Sequence, residues 1–154
     1  MGEGKKAMEI RELNMSDIES VKRLMIDIFS VEPWNDVWTD DKLHAYIREL
    51  MGNENSLSFG VYQDEVLIGI ALGRLKSWYE GTEYWIDEFG ILPKMQQAGI
   101  GSGFMKSIEE KAAEKGAVYI TLLTEKQVPA YQFYRKNGFQ EREENVFFVK
   151  QIGK

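Results

Sequence analysis

A glycine-rich turn in the second half of the chain reads Gln96-Gln97-Ala98-Gly99-Ile100-Gly101-Ser102-Gly103. It follows an apolar run that Pro93 closes, and the apolar spacing behind it predicts a helix. Glycines let the backbone turn tightly with its amides pointing inward, and the N-terminus of a helix adds partial positive charge. Such a turn is typical of a cradle for an anion, most often a phosphate.

The details of the turn exclude two familiar phosphate-binding loops. A dinucleotide fingerprint requires glycine at the position of Phe104. A Walker-type loop ends in Gly-Lys-Ser/Thr, where this chain reads Gly101-Ser102-Gly103. A tight turn that serves packing alone stays open as an alternative at this point.

Composition limits the classes of partner and the compartment. The 154 residues are enough for one domain with its own core, and the absence of cysteine excludes disulfides and thiolate metal sites. The net charge of −6 argues against nucleic acid and suits a cationic or amine-bearing partner, although it also serves solubility alone. Without an apolar run of membrane-spanning length or a signal peptide, we expect no membrane partner and a cytoplasmic location.

Hydrophobic periodicity predicts a single α+β domain with a mixed sheet over residues 8–152, preceded by a disordered N-terminus at 1–7. About four helices are expected: one begins at a capping box formed by Ser16 and Glu19, one is capped by Thr39, one follows the glycine turn, and one spans 129–136. Six to seven strands are expected, at 8–13, from 57 and from 66 around a turn at 63–65, and at 84–92, 117–123, 139–141 and 146–152. Residues 76–82 are predicted to form a polar and aromatic loop.

A second motif downstream reads Pro129-Ala130-Tyr131-Gln132-Phe133-Tyr134-Arg135-Lys136-Asn137-Gly138-Phe139. The two motifs together resemble the signature of the GNAT superfamily of acyl-CoA-dependent N-acetyltransferases. The first matches the family's Gln/Arg-x-x-Gly-x-Gly/Ala turn, and the second matches its Ala-x-x-Phe-Tyr-x-x-x-Gly-Phe pattern. The expected order of strands and helices also agrees with the GNAT-like acyl-CoA N-acyltransferase fold, so the resemblance covers nearly the whole chain.

The resemblance implies acetyl-CoA as co-substrate and no metal. Backbone amides of the turn would hold the pyrophosphate, and the pantetheine arm would run along the preceding strand where it splays from its neighbour. The residues implied in cofactor binding are Ile91, Leu92, Gln96, Gln97, Ala98, Gly99, Ile100, Gly101, Ser102, Gln127 and Phe133. Gln127 departs from the family pattern, in which many relatives carry asparagine.

Acetyl transfer to an amine requires a base and an acid. A primary amine is protonated at neutral pH and must lose a proton before it attacks the thioester, while the departing sulfur must gain one. The resemblance assigns the acid to Tyr134, and it makes Asp87 and Glu88 candidates for the base or amine ligand. Adjacent strand residues point to opposite faces, so we expect one of these two acids to act. Structural ion pairing is the alternative for each.

The acceptor is expected at Trp34, Trp38, Trp78 and Glu80, because in similar folds these regions line the acceptor pocket. Aromatic faces and carboxylates suit a cationic amine, although the tryptophans could equally fix loops to the core. The single histidine, His44, is expected at the surface.

The function expected is therefore N-acetylation of a primary amine on a small molecule, such as a polyamine, an amino sugar or an aminoglycoside-like compound. Two alternatives are a protein N-terminal or lysine acetyltransferase and a non-catalytic acyl-CoA-binding regulatory module. Without a cysteine nucleophile, direct attack by the amine is expected, and a covalent route through a serine stays open as the alternative. Similar proteins often form homodimers, so the resemblance also carries a homodimer as an expectation.

Overall fold

The computed structural model describes residues 8–154, and at Gln97 and Ala98 it describes the backbone alone. The segment 1–7, predicted to be disordered, lies outside the described residues. Two compact units follow one another along the chain, the first ending at Leu123 and the second spanning Thr124–Lys154. None of the helices in the described part of the chain combines the length and apolar composition that crossing a membrane requires.

The first unit is built around one mixed sheet, as the sequence predicts. Its described elements are β1 (Met8–Leu13), α1 (Ile18–Phe29), α2 (Asp40–Met51), β2 (Ser56–Gln63), β3 (Val66–Trp78), β4 (Gly81–Ile91), α3 (Ile100–Glu114) and β5 (Ala117–Leu122). The strands follow the order β1-β2-β3-β4-β5, and the first three pairs are antiparallel. β4 and β5 are parallel, with α3 as the crossover between them.

The start of α1 is capped differently from the prediction. The expected capping box of Ser16 and Glu19 is wrong, because a 3-10 turn at Met15–Asp17 precedes the helix. Asn14 accepts a hydrogen bond from the Ser16 backbone at 2.9 Å, and Asp17 accepts one from the Asn14 backbone at 2.9 Å. The reciprocal box therefore lies two residues earlier in the chain.

α1 and α2 cover one face of the sheet. Thr39 caps α2 as predicted, since its hydroxyl accepts from the Lys42 amide at 3.3 Å. The buried core between these helices and the sheet includes Val21, Leu24, Met25, Ile28, Leu43, Ile47, Ile70 and Leu72. α3 covers the other face, where Phe104 stacks on Phe89 of β4 at 5.6 Å.

A buried lysine joins α1 to α2. Lys22 is 5% exposed, and its ammonium lies 3.0 Å from Oδ1 of Asp40 at the start of α2. The same nitrogen lies 3.2 Å from Nδ1 of His44, whose side chain is 40% exposed at the surface, as predicted. The cluster thus links the two helices beside the apolar core.

The predicted loop at 76–82 is wrong. β3 continues to Trp78 and β4 begins at Gly81, so that Tyr79 and Glu80 alone form the connection. The last residues of β3 pair with the first residues of β4, with Lys76 opposite Glu83. Their polar character indicates a loop by composition, but antiparallel strands at the end of a sheet can face solvent on one side.

The second unit contains the predicted fourth helix, α4 (Pro129–Lys136). The predicted strands at 139–141 and 146–152 are wrong, because residues 139–154 adopt no strand. The run from Val146 to Val149 is apolar but exposed. An apolar run becomes a strand only where a neighbouring strand pairs with its backbone and another layer covers its apolar side chains. The sheet described here therefore has five strands rather than six or seven.

Gly73 lies where β3 and β4 approach closely, and we expect Gly73→Ala to destabilise the protein. An added Cβ would collide with the carbonyl oxygen of Trp85 and lie 2.8 Å from Cε1 of Tyr84. Overpacking of this kind lowers the free energy of unfolding by about 1–3 kcal/mol, which urea denaturation measures.

The control is Gly103→Ala on α3, where nothing lies within 4 Å of the added Cβ. Alanine is favoured in a helix by roughly 0.5–1 kcal/mol, so this variant should match or exceed the wild-type free energy of unfolding. Equal losses in both variants would contradict the packing argument.

Candidate active site

The glycine turn forms a tight connection from β4 to α3, as predicted. A 3-10 turn at Pro93–Ala98 leads to Gly99, whose φ of +74° lies in the left-handed region that favours glycine, and α3 follows at once. A Cβ added at Gly99 would meet nothing within 4 Å, so the space above it is open. Among the described residues no side chain caps α3, and its first turn carries no acid. The first amides of this helix are therefore available to an external acceptor, preferably an anion.

The cradle is braced against the end of β4. Nε2 of Gln96 donates to the carbonyl of Ile91 at 2.9 Å, and the Leu92 amide donates to the carbonyl of Ile68 at 2.8 Å. The structure thus places the Gln96 side chain on the strand end, where it fixes the turn relative to the sheet.

β4 extends beyond its parallel neighbour. The pairing runs from Thr82 opposite Ala117 to Ile86 opposite Leu122, where β5 ends. In the part of the first unit that is described, residues 87–91 of β4 continue without a strand on that edge. An extended ligand could pair with this edge as an added strand would.

A β-bulge interrupts β4 at this point. Leu72 of β3 stands opposite Glu88, and the next residue, Gly73, stands opposite Ile86, so Asp87 is the extra residue. A bulge cancels the usual alternation of side chains. The prediction that the two adjacent acids point to opposite faces is wrong, because it assumed an uninterrupted strand.

The partners of the two acids show that both lie on the sheet face covered by α1 and α2. Arg74, on the same side of β3 as the buried Leu72, approaches both carboxylate oxygens of Asp87 with Nη1 at 2.7 Å. Glu88 accepts a hydrogen bond from the hydroxyl of Tyr46 on α2. Asp87 is paired with a guanidinium, whereas Glu88 has a neutral donor.

The environment of Glu88 favours its protonated form. Burial raises the pKa of Glu88, the hydrogen bond from Tyr46 lowers it, and the negative charges of Asp36 and Asp87 raise it further. Burial and then the charge of Glu88 raise the pKa of Tyr46, which therefore remains a protonated donor. A carboxylate of raised pKa is a better proton acceptor than an ordinary one, which suits it to take a proton from an ammonium.

One of the two predicted tryptophans before α2 is brought to this acid. Trp38 stacks on Tyr46 with ring centroids 5.2 Å apart and an interplanar angle of 22°. Its buried indole N–H finds no acceptor among the described residues. Trp34 packs edge-on against Phe29 at 5.7 Å, and both tryptophans are partly buried against the core.

Trp78 and Glu80 lie elsewhere, at the tip of the β3–β4 ribbon. Trp78 is six residues along β3 from Leu72, the partner of Glu88, which corresponds to roughly 20 Å. Nζ of Lys76 lies 5.5 Å from the centroid of the Trp78 ring, so a cation of the protein already faces that ring. The structure does not bring these two predicted acceptor residues together with Glu88.

The predicted residues of the second unit form an aromatic group of their own. Tyr134 packs edge-on against Phe133 and against Phe139, each at 5.4 Å between ring centroids, and is half-buried. Gln127 is exposed just before α4.

Sequence reasoning missed Tyr46 and Arg74. Tyr46 lies three residues after Leu43 and one before Ile47, at the border of the buried stripe of α2, and this spacing could have directed it toward the sheet. The contact of Arg74 with Asp87 depends on the bulge, for which the sequence carries no clear signal.

Comparison with known proteins agrees with this geometry. The family model described as "Acetyltransferase (GNAT) family" matches residues 18–139. The chain is 32% identical over 87 residues to "Uncharacterized N-acetyltransferase YjcF" of Bacillus subtilis (strain 168). That match covers 56% of this chain and 58% of the relative, a little over half the length of each.

Solved structures of similar fold cover almost the whole chain. The aminoglycoside N-acetyltransferase AAC(6')-Iy in complex with CoA has a TM-score of 0.77 at 21% identity, with 99% of this chain and 100% of that one covered. A possible acetyltransferase from Clostridium difficile 630 has a TM-score of 0.80 at 17% identity, with 95% and 99% covered. The aminoglycoside acetyltransferase meta-AAC0020 from an uncultured soil metagenomic sample, in complex with sisomicin, has a TM-score of 0.75 at 19% identity, with 95% and 97% covered.

We expect Glu88→Gln to stabilise the protein at pH 8 more than at pH 4. The folded-state pKa of Glu88 is raised above the ordinary value of about 4.3, so the folded protein binds more protons than the unfolded chain between the two values. Wild-type stability therefore falls as the pH rises through that window, whereas glutamine does not ionise and still accepts from Tyr46. Urea denaturation at both pH values measures the difference.

Asp87→Asn is the matched control, because it removes the same charge but leaves Arg74 without its carboxylate partner. It should not stabilise the protein at pH 8. A Glu88→Gln variant that gains stability at pH 4 and loses it at pH 8 would contradict the raised pKa.

Proposed function

Because the chain belongs to the GNAT acetyltransferase family, we propose that it transfers the acetyl group of acetyl-CoA to the primary amine of a small molecule. The observation that carries the proposal is the placement of Glu88 on the strand that leads into the open cradle. Glu88 lies three residues before the end of β4, or roughly 10 Å along the strand. The proposed transferase domain spans residues 8–152, and we propose a cytoplasmic location and a homodimer from the sequence and the resemblance.

The cradle fits the pyrophosphate of CoA. The open space at Gly99, the uncapped start of α3 and the lack of an acid in its first turn all favour a bound anion. Backbone amides of residues 97–102 would hold the pyrophosphate, and the free edge at 87–91 would pair with the pantetheine arm. When bound, acetyl-CoA supplies a thioester whose carbonyl carbon is open to attack by an amine.

Glu88 is the proposed base. The acceptor ammonium gives a proton to Glu88, and the free amine attacks the thioester carbonyl, so that a C–N bond forms as the C–S bond breaks. The nitrogen loses its second proton as the amide forms, and that proton replaces the one given to the departing sulfur. Asp87 is less suited because the guanidinium of Arg74 already occupies its carboxylate oxygens. Tyr134, from its position in the second motif, is proposed to donate a proton to the departing sulfur. A phenol is protonated at neutral pH and suits this role.

The acceptor class follows from the charges around Glu88. Asp36 and Asp87 add negative charge beside Glu88. Trp38 stacks on Tyr46, so the two rings form an aromatic surface next to this acid. These groups favour a small cationic amine. The aminoglycoside acetyltransferases of similar fold support the same class, although the likeness to them is one of fold.

Gly101→Asp should weaken CoA binding without destabilising the protein. The new carboxylate lies in the first turn of α3, where it competes with the pyrophosphate for the same amides. The same charge interacts favourably with the helix N-terminus, by about 0.3–1 kcal/mol. Calorimetric titration should therefore show a lower affinity for CoA, and thermal unfolding should show an unchanged or higher midpoint.

Ala113→Asp is the charge-matched control, because Ala113 is exposed near the opposite end of α3, roughly 18 Å away. It should leave the affinity for CoA unchanged. Unaltered affinity in Gly101→Asp would remove the turn from the cofactor site.

Tyr134→Phe should reduce turnover by about 10²-fold or more while leaving acetyl-CoA affinity unchanged, because it removes a proton donor and keeps the ring. Turnover is measured as CoA thiol release over a panel of polyamines, amino sugars, aminoglycosides and peptides. The protein contributes no thiol background since it has no cysteine. Tyr131→Phe on the same helix is the control, as its hydroxyl donates to Glu141 and it carries no expected catalytic role.

The panel also separates the alternatives. Turnover with peptides alone would identify a protein acetyltransferase. CoA binding without turnover on any amine would favour a non-catalytic binding module.

A further inference from the structure

We propose that Tyr46 is the positioning residue for Glu88, holding one carboxylate oxygen so that the other faces the acceptor amine. This inference rests on the proposed function, in which Glu88 is the base. The sequence pattern did not identify Tyr46. Its proposed role follows from two contacts and from the set of groups that face Glu88.

The first contact is the hydrogen bond itself. The Tyr46 hydroxyl donates to Oε2 of Glu88. No described residue donates a hydrogen bond to Oε1, which leaves that oxygen to accept from an ammonium. A carboxylate held by one oxygen has a defined orientation for the other, which matters because proton transfer requires hydrogen-bond distance to the acceptor.

The second contact fixes the phenol. The Tyr46 ring is stacked on Trp38, and the neighbouring residues Leu43 and Ile47 are fully buried against the sheet. The start of α2 is held by Lys22 through its contact with Asp40. Tyr46 is therefore attached to a helix that is anchored at its start and along its inner face.

The third point is the set of groups that face Glu88. Asp36 approaches from the segment before α2, and Asp87 lies beside it on β4, held by Arg74 of β3. α1 contributes the apolar side chains of Ile28 and Phe29, which approach nearby Gly90. Of these groups, Tyr46 is the one that offers Glu88 a hydrogen bond and so favours its ionised form.

Tyr46→Phe tests the inference because it removes the hydroxyl and keeps the ring that stacks on Trp38. The acid limb of the kcat/KM profile for the amine should move to higher pH by roughly one unit, the size expected for losing a hydrogen bond to a charged group. At a pH below this limb kcat/KM should fall about 10-fold, in step with the same shift. The affinity for acetyl-CoA should not change.

A second readout does not depend on turnover. Titration of the Glu88 carboxyl by carbon-13 NMR, with the signal assigned by its loss in Glu88→Gln, should show a higher pKa in Tyr46→Phe than in the wild type. Tyr62→Phe is the control, because it removes a hydroxyl from β2, where the ring lies 4.2 Å from the Arg11 guanidinium. It should change neither the profile nor the titration.

The outcomes distinguish a failure of this inference from a failure of the proposed function. Shifts in both readouts support Tyr46 as the positioning residue. A uniform loss of activity without a shift of the acid limb overturns the inference, and so does an unchanged pKa of Glu88 in the titration. In either case the proposed enzyme function stands if Glu88→Gln is inactive. A wild-type protein that acetylates no amine overturns the proposed function, and the inference with it.

Discussion

The bulge at Asp87 is the constraint on which the rest of the site depends. It lies directly after the last pair between β4 and β5, at Ile86. One extra residue therefore coincides with two changes: the two acids come to the same sheet face, and the edge of β4 loses its neighbour. Bulges bend a strand and increase its twist. The two acids and the free edge of β4 therefore begin at the same irregularity.

The two acids on that face have different chemistry because their partners differ. A guanidinium stabilises the charge of Asp87, whereas Glu88 is half-buried beside a phenol and two further carboxylates. Interaction with a cation favours the ionised form of an acid, and desolvation favours the neutral form. Adjacent residues of identical charge thus become an ion-pair partner and a candidate base, through contacts made by β3 and α2.

The parts of the molecule that the sequence predicts are those with local signals. The glycine turn, the cap at Thr39 and the helix from Pro129 each depend on residues within one turn of the chain, and all three are present. The bulge is different, because it is set by the pairing of β4 with β3, whose residues are far away in sequence. Tyr46 belongs to the same class, since its partner Glu88 is 42 residues later.

The wrong predictions of a loop at 76–82 and of strands at 139–141 and 146–152 have a related cause. The run from Val146 to Val149 has the composition of a strand, but pairing depends on a neighbouring backbone that composition does not specify. The ribbon tip near Trp78 shows the reverse, because polar residues pair there in the absence of a covering layer. The family resemblance singled out the glycine turn and the strand that leads to it, whereas the different partners of the two acids became visible only from side-chain contacts.

The first turn of α3 carries no acid although the chain as a whole has a net charge of −6. In the proposed enzyme the polyanionic cofactor therefore approaches a protein whose net charge repels it at long range and whose helix amides attract it at short range. The cationic acceptor meets the opposite situation, since the overall field draws it in. Because added salt screens interactions beyond a Debye length of about 10 Å at 0.1 M, ionic strength should act on the two association rates in opposite directions.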